Sequence, residues 1–161
     1  MNGLCLRPVD YGHPDVALLE QQVQLEYARR YGGGDDTVLH PEQFREPEGV
    51  FLLLSVDGVA TAMGGWRARE SDGANLRDGD AEIKRMYVVP AAQRRGYART
   101  LLVELERTAS LAGRWRMVLE TGVLQPEAIA LYTSSGYTEI GKFGLYSGEE
   151  ASRCYAKVLT G

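Results

Sequence analysis

Apolar positions recur with two periods along the chain, and the switches between them divide it into elements. Leu4 to Val9 reads as a first strand. From Asp15 to Tyr31 the apolar residues Val16, Leu19, Val23 and Tyr27 recur at helical spacing, with Asp15 placed to cap the helix. Gly32-Gly33-Gly34-Asp35-Asp36 then ends it in a flexible acidic loop. Gly49 to Val56 and Val59 to Arg67 read as two strands joined by the Asp57-Gly58 turn. After a polar loop from Ser71 to Gly79, Ala81 to Val89 is a strand closed by Pro90. The clearest helix follows, with Ala98, Leu101, Leu102, Leu105, Ala109 and Ala112 along one face and Gly113 as its stop. Trp115 to Thr121 is an apolar strand, and Pro126 to Ser134 is a helix with Pro126 in its first turn and Gly136 at its end. Tyr137 to Ile140 and Tyr155 to Leu159 are late strands. The order β-α-β-β-β-α-β-α-β-β predicts a mixed α/β (α+β) architecture.

Composition narrows this picture. The 161 residues suit a single domain over 1–161, large enough to bury roughly 70% of its unfolded surface. The net charge of −4 argues against a general nucleic-acid binder. Cys5 and Cys154 form no CxxC and have no histidine at ligand spacing, so they read as reduced thiols in a cytoplasmic protein without a metal site. The longest apolar run, Val50 to Leu54, is too short to span a bilayer, and Met1-Asn2-Gly3-Leu4 has no secretory pattern. His13 and His40 lie in polar, loop-like stretches and read as surface residues, whereas Trp66 and Trp115 flank strands and are expected in the core. The pattern sets no oligomeric state, and a homodimer is the default assembly to expect.

Charge is unevenly spread. Between Lys84 and Arg116 eight basic residues face only Glu104 and Glu106, a local charge of +6 within a chain that is −10 elsewhere. Such an island suits either a locally held anion or a solvated arginine-rich face. Within it, Met86-Tyr87-Val88-Val89-Pro90 leads through Gln93-Arg94-Arg95-Gly96-Tyr97-Ala98-Arg99 into the strongest helix. The N–H groups at a helix start lack intrahelical partners and, with the helix dipole, favour an anion. Gly96 and the small Ala98 allow close backbone approach, and Arg94, Arg95 and Arg99 can neutralise a phosphate. Neither the Walker pattern nor GxGxxG is present, and an ordinary capped helix explains the glycine turn alone equally well.

Gln93-Arg94-Arg95-Gly96-Tyr97-Ala98 resembles the Q/R-x-x-G-x-G/A motif of the GNAT family of N-acetyltransferases, with Ala in the final position. The resemblance runs from about Ala81 to Tyr137. It includes Ala81-Glu82-Ile83, Leu119-Glu120-Thr121-Gly122, Glu127-Ala128-Ile129-Ala130-Leu131-Tyr132 and Gly136-Tyr137. It implies a GNAT fold: a mixed, mostly antiparallel sheet of six to seven strands, splayed at its centre and flanked by about four helices. It implies acetyl-CoA as cosubstrate, its pyrophosphate held by Gln93 to Arg99. The main chain of Met86, Tyr87 and Val88 would bind the pantetheine arm, with the Val88 N–H as oxyanion donor. Tyr132 would protonate the departing thiolate, and Glu82 or Glu120 would serve as general base. A core tyrosine and two ion-paired glutamates are the structural alternatives. Where many relatives carry Asn against the coenzyme amide, Gln125 stands here, followed by Pro126.

Three functions follow as alternatives. The first is an acetyltransferase for a small, cationic primary amine, since Asp35, Asp36, Glu42, Glu46, Glu48, Glu149 and Glu150 fall in the segments that cover the acceptor in the family. The second is a protein or peptide N-acetyltransferase. The third is a non-catalytic acyl-CoA sensor, against which Glu82, Glu120 and Tyr132 together argue. Phe143, Tyr137 and Tyr146 either line the acceptor pocket or pack.

Overall fold

A computed structural model describes residues 3–160. One seven-stranded sheet carries the chain: β1 (Leu4–Pro8), β2 (Gly49–Val56), β3 (Val59–Arg69), β4 (Asp80–Val88), β5 (Arg116–Gly122), β6 (Thr138–Ile140) and β7 (Ser152–Val158). The strands lie in the order β1-β2-β3-β4-β5-β7-β6. Neighbours run antiparallel except β4 and β5, which are parallel because the helix α2 (Tyr97–Leu111) carries the chain across between them. The other helices are α1 (Pro14–Tyr31) and α3 (Pro126–Ser134).

The apolar run Val50 to Leu54 is explained by its place in the middle of two layers. Val50, Leu52 and Leu54 pack with Trp66, Leu101, Leu105 and Tyr132 on the α2 and α3 side. Phe51 and Leu53 pack with Val16, Leu19, Val23 and Met63 on the α1 side. A strand covered on both faces loses the polar half of its alternation and reads as continuously apolar. Beneath the late loops, Leu76, Val118, Phe143, Cys154 and Ala156 form a third cluster.

Several details differ from the sequence reading. Among the described residues three α-helices are present rather than about four, and Pro41–Phe44 makes only a short 3-10 turn in a stretch broken by Pro41 and Pro47. His13, not Asp15, caps α1: its Nδ1 accepts from the Asp15 N–H at 3.0 Å, with Pro14 in the first turn. Trp66 is fully buried, its indole N–H donating to Thr108 Oγ1. Trp115, expected in the core, is 43% exposed, because its indole N–H reaches out to the Asp78 carbonyl at 2.6 Å.

The basic island also resolves into two populations. Arg116 forms a two-point buried ion pair with Asp80, at 2.7 and 2.8 Å. Arg85 is clamped between Glu20 and Asp35, and Lys84 reaches Asp35 at 3.2 Å. These cations answer internal carboxylates. Arg94 and Arg95 remain exposed at the turn before α2 and carry no ion pair among the described residues.

Candidate active site

The parallel ladder between β4 and β5 lasts for three residue pairs, Asp80 with Arg116, Ala81 with Met117 and Glu82 with Val118. Beyond it β5 stays with β7 while β4 stays with β3, so the two central strands part. A bulge assists the departure. Arg85 and Met86 together stand opposite Gly64, and Arg85 has a left-handed φ of +58°. A Cβ at position 64 would lie 2.5 Å from Met86 Sδ, so a side chain there would require the Met86 side chain to move.

The parting leaves a gap walled by Ile83–Met86 on one side and Leu119–Thr121 on the other, with Ala128 and Tyr132 of α3 against it. The edge of β4 facing the gap is polar main chain. The Val89 N–H donates to the Thr61 carbonyl on β3, so backbone alternation turns the N–H and C=O of Val88 and Met86 the other way. Tyr87, the third main-chain residue implied by the resemblance, has its backbone toward β3, opposite Met63, and its ring packs on the α1 side. The Val88 carbonyl also accepts from Gln93 Nε2 at 3.3 Å, which ties the strand to the turn that follows.

That turn holds an unusual run of donors. Arg94 and Gly96 both have left-handed φ, +66° and +82°, and Gly96 occupies the N-cap of α2. Among the described residues none of the six N–H groups from Arg94 to Arg99 meets an acceptor; the Thr100 N–H is the first to be satisfied, by the Gly96 carbonyl. Tyr97 and Ala98 open the helix. The Arg99 guanidinium is held across the mouth by Ser134 and Ser135 at the end of α3, at 2.9 and 3.0 Å. The arrangement suits an anion with several oxygens.

Tyr132 lies deep in the gap, 5% exposed, its ring edge-on to Tyr137 at 5.6 Å. Burial pushes its phenol up from the ordinary value, so it is held protonated. Tyr137 is core rather than pocket, its hydroxyl donating to Glu106 Oε2 at 2.7 Å. Phe143 is likewise buried packing. The two glutamates part company. Glu82 is 3% exposed and clasped by Arg67 at 2.9 Å and by Arg69, partners on β3 rather than the Lys84 or Arg85 expected beside it, and it lines neither the gap nor the cleft next to it. Glu120 lines both. Its Oε2 accepts from Ser152 Oγ at 3.1 Å, and burial raises its carboxyl above the ordinary 4.5, with Lys84 opposing and Glu82 and Asp35 adding to the rise. Gln125 borders both spaces at the start of α3, its Oε1 accepting from Thr121 Oγ1.

Comparison with known proteins gives this geometry its place. Residues 18–137 match the Acetyltransferase (GNAT) family. The chain belongs to that family. It is 33% identical over 144 residues to an IAA acetyltransferase of Azospirillum brasilense, covering 89% of this chain and 90% of that one. Its fold is that of a Klebsiella pneumoniae protein assigned as an acyl-CoA N-acyltransferase (TM-score 0.77, 24% identity, 98% and 99% of the two chains). It is also that of the PaiA N-acetyltransferase of Thermoplasma acidophilum in complex with coenzyme A (TM-score 0.68, 15% identity, 97% and 99%). As a GNAT enzyme the protein is an acyltransferase, and acetyl-CoA is the donor its family uses. The unpartnered amides and the polar edge of β4 fit an extended ligand with a phosphate end.

The acetyltransferase has a second, larger space opening from the gap, a cleft of about 450 Å³. Its walls come from the end of α1, the loop 32–36, β5 and the loop before β7. Of the acidic residues expected at its mouth, Asp35, Asp36 and Glu149 line it; Glu42, Glu46, Glu48 and Glu150 do not. Tyr146 lines it and ties its two rims together. The Asp36 N–H donates to Tyr146 Oη at 2.6 Å, and that hydroxyl donates to the Gly34 carbonyl at 3.4 Å. The sequence reading missed Ser152, Lys84 and Tyr27 as neighbours of the site. Ser152 and Lys84 carried no local signal. Tyr27 sat on an apolar helical stripe, although its repetition as Tyr31 one turn later, just before the glycine loop, was a usable cue. Among the described residues no helix is long and apolar enough to cross a membrane, and no group of three or more His, Cys, Asp or Glu could hold a metal ion.

Proposed function

We propose that the protein transfers an acetyl group from acetyl-CoA to a primary amine of a small, cationic molecule, by direct attack in a ternary complex. One observation carries the reading: the narrow gap floored by Tyr132 and the acidic cleft are continuous, and Glu120 borders both. The bound donor would supply the activated thioester. The N–H groups of Arg94 to Arg99 and the side chains of Arg94 and Arg95 hold its diphosphate, Gln93 braces that turn, and Gln125 faces its amide-bearing arm. Met86 and Val88 pair their main chain with that arm, and the Val88 N–H donates to the carbonyl oxygen as charge builds on it. An ammonium has no lone pair, so Glu120, through water held beside Ser152, takes the amine proton. Tyr132 gives its proton to the departing sulfur. Glu82, already neutralised by Arg67 and Arg69, keeps a structural role in this scheme.

The carboxylates of Asp35, Asp36, Glu120 and Glu149 along the cleft support a cationic acceptor, and its modest size favours a small one over a peptide. A free-thiol assay with acetyl-CoA against polyamines, aminoglycosides, amino acids, basic peptides and IAA (the compound in the name of the A. brasilense relative) tests the choice. Fastest turnover with polyamines or aminoglycosides is expected. A clear preference for peptides or anionic acceptors would overturn the acceptor class, and coenzyme binding with no thiol release from any acceptor would favour a sensor.

A further inference from the structure

Six residues border both the gap and the cleft: Tyr27, Asp35, Lys84, Glu120, Thr121 and Gln125. They form the threshold where an acceptor entering from one space would meet a thioester in the other. Five of them have a recognisable tie. Asp35 and Lys84 bond each other, Glu120 is held by Ser152, and Thr121 and Gln125 bond each other. The Tyr27 hydroxyl alone among them has no hydrogen-bond partner among the described residues, and its half-buried ring packs on the α1 side while lining both spaces beside Asp35. Burial holds this phenol protonated, and it lines the same gap as the Tyr132 phenol.

The two tyrosines come from opposite faces of the sheet. Tyr132 stands on α3 within the cluster that includes Leu119, and Tyr27 stands on α1 within the cluster that includes Met63. In an unbroken sheet the strands would separate them. Here β4 and β5 have parted, and both tyrosines line the gap between them. An acyl group held in that gap would have a phenol from each face beside it, and only Tyr132 has a task in the scheme above.

Resting on the proposed function, we infer that Tyr27 is the residue that positions the acceptor: its hydroxyl oxygen accepts an N–H of the attacking amine at the threshold, which leaves the nitrogen lone pair aimed at the acyl carbon. A neutral phenol suits the task, since it offers an acceptor oxygen without adding a second base to compete with Glu120.

The test compares wild type with Tyr27→Phe, which keeps the ring and its packing on the α1 side. Calorimetry first measures coenzyme A binding to both proteins, then titrates 1,4-diaminobutane into the coenzyme-saturated proteins. The expected result is coenzyme A affinity equal within about twofold and diamine affinity at least about fivefold weaker in Tyr27→Phe, with an increase in acceptor KM and little change in KM for acetyl-CoA. Equal diamine affinity in the two proteins, or no diamine binding by the coenzyme-loaded wild type, overturns the role of Tyr27. Failure of coenzyme A itself to bind would instead contradict the reading of the gap on which the inference rests.

Discussion

At the scale of single residues, burial and partners separate side chains that the sequence leaves equivalent. Glu82 and Glu120 are both carboxylates inside apolar strands, and nothing local ranks them. Their neighbours do, since two arginines occupy Glu82 while Glu120 has one serine and a raised pKa. The base must be ionised to act. We therefore expect kcat/KM to rise with pH through an apparent pKa above the ordinary carboxylate value, a limb that Glu120→Gln removes and Glu82→Gln leaves in place. A pH profile of the three proteins checks it. Tyr132→Phe keeps the buried ring and its contact with Tyr137 while deleting the donor. It should lower kcat at least about tenfold, about 1.4 kcal/mol in barrier, with coenzyme affinity nearly unchanged. An unaltered kcat would remove Tyr132 from the chemistry. That Tyr132 would face the gap was legible from its place in the Ala-Leu-Tyr stretch. The place of Tyr27 on that gap was not, because helical spacing alone cannot tell a tyrosine facing a cavity from one facing a core.

At the scale of elements, the turn before α2 was legible and the bulge of β4 was not. Gly96 and the three arginines advertise the turn in one short run of sequence. The bulge faces Gly64, which lies on another strand and whose close approach to the Met86 side chain shows only once the two strands are paired. The same limit explains the basic island. Arg94 and Arg95 stay at the turn, whereas Lys84, Arg85 and Arg116 find carboxylates from remote segments, which no local charge count reveals. The double replacement of Arg94 and Arg95 by Ala should weaken coenzyme A binding and flatten its salt dependence, because two exposed, screened charges are lost while the backbone donors persist. Calorimetry at low and high salt reads both effects. Wild-type affinity at low salt would show that the two side chains take no part.

At the scale of the whole molecule, helix α1, the loop after it and strand β4 are locked by Glu20, Asp35, Lys84 and Arg85. Burial raises the Asp35 carboxyl, but Lys84 and Arg85 more than reverse this and hold it at about 2, against an ordinary 3.8. A carboxyl depressed in the folded state contributes its stability above the unfolded value and loses it as pH falls through the folded one. The lock is thus complete above about pH 4 and fails between about 4 and 2, a contribution on the order of 2 kcal/mol. Thermal unfolding across that window should show Asp35→Asn less stable than wild type at neutral pH and converging with it near pH 2. A constant difference would place the stabilisation elsewhere. The succession of strands and helices along the chain was legible from periodicity, whereas the order of strands within the sheet was not, because pairing is set between remote segments. The acceptor cleft was not, because it is assembled from the end of α1 and the loop before β7, more than 100 residues apart. The central claim is that the parted strands and the turn deliver a thioester between the two halves of this site. A crystal structure with coenzyme A bound tests it most directly. The account predicts diphosphate oxygens on the amides of Arg94 to Arg99, the arm along Met86 and Val88, and the sulfur within hydrogen-bond reach of the Tyr132 hydroxyl. Coenzyme bound elsewhere, or a sulfur remote from that phenol, would contradict it.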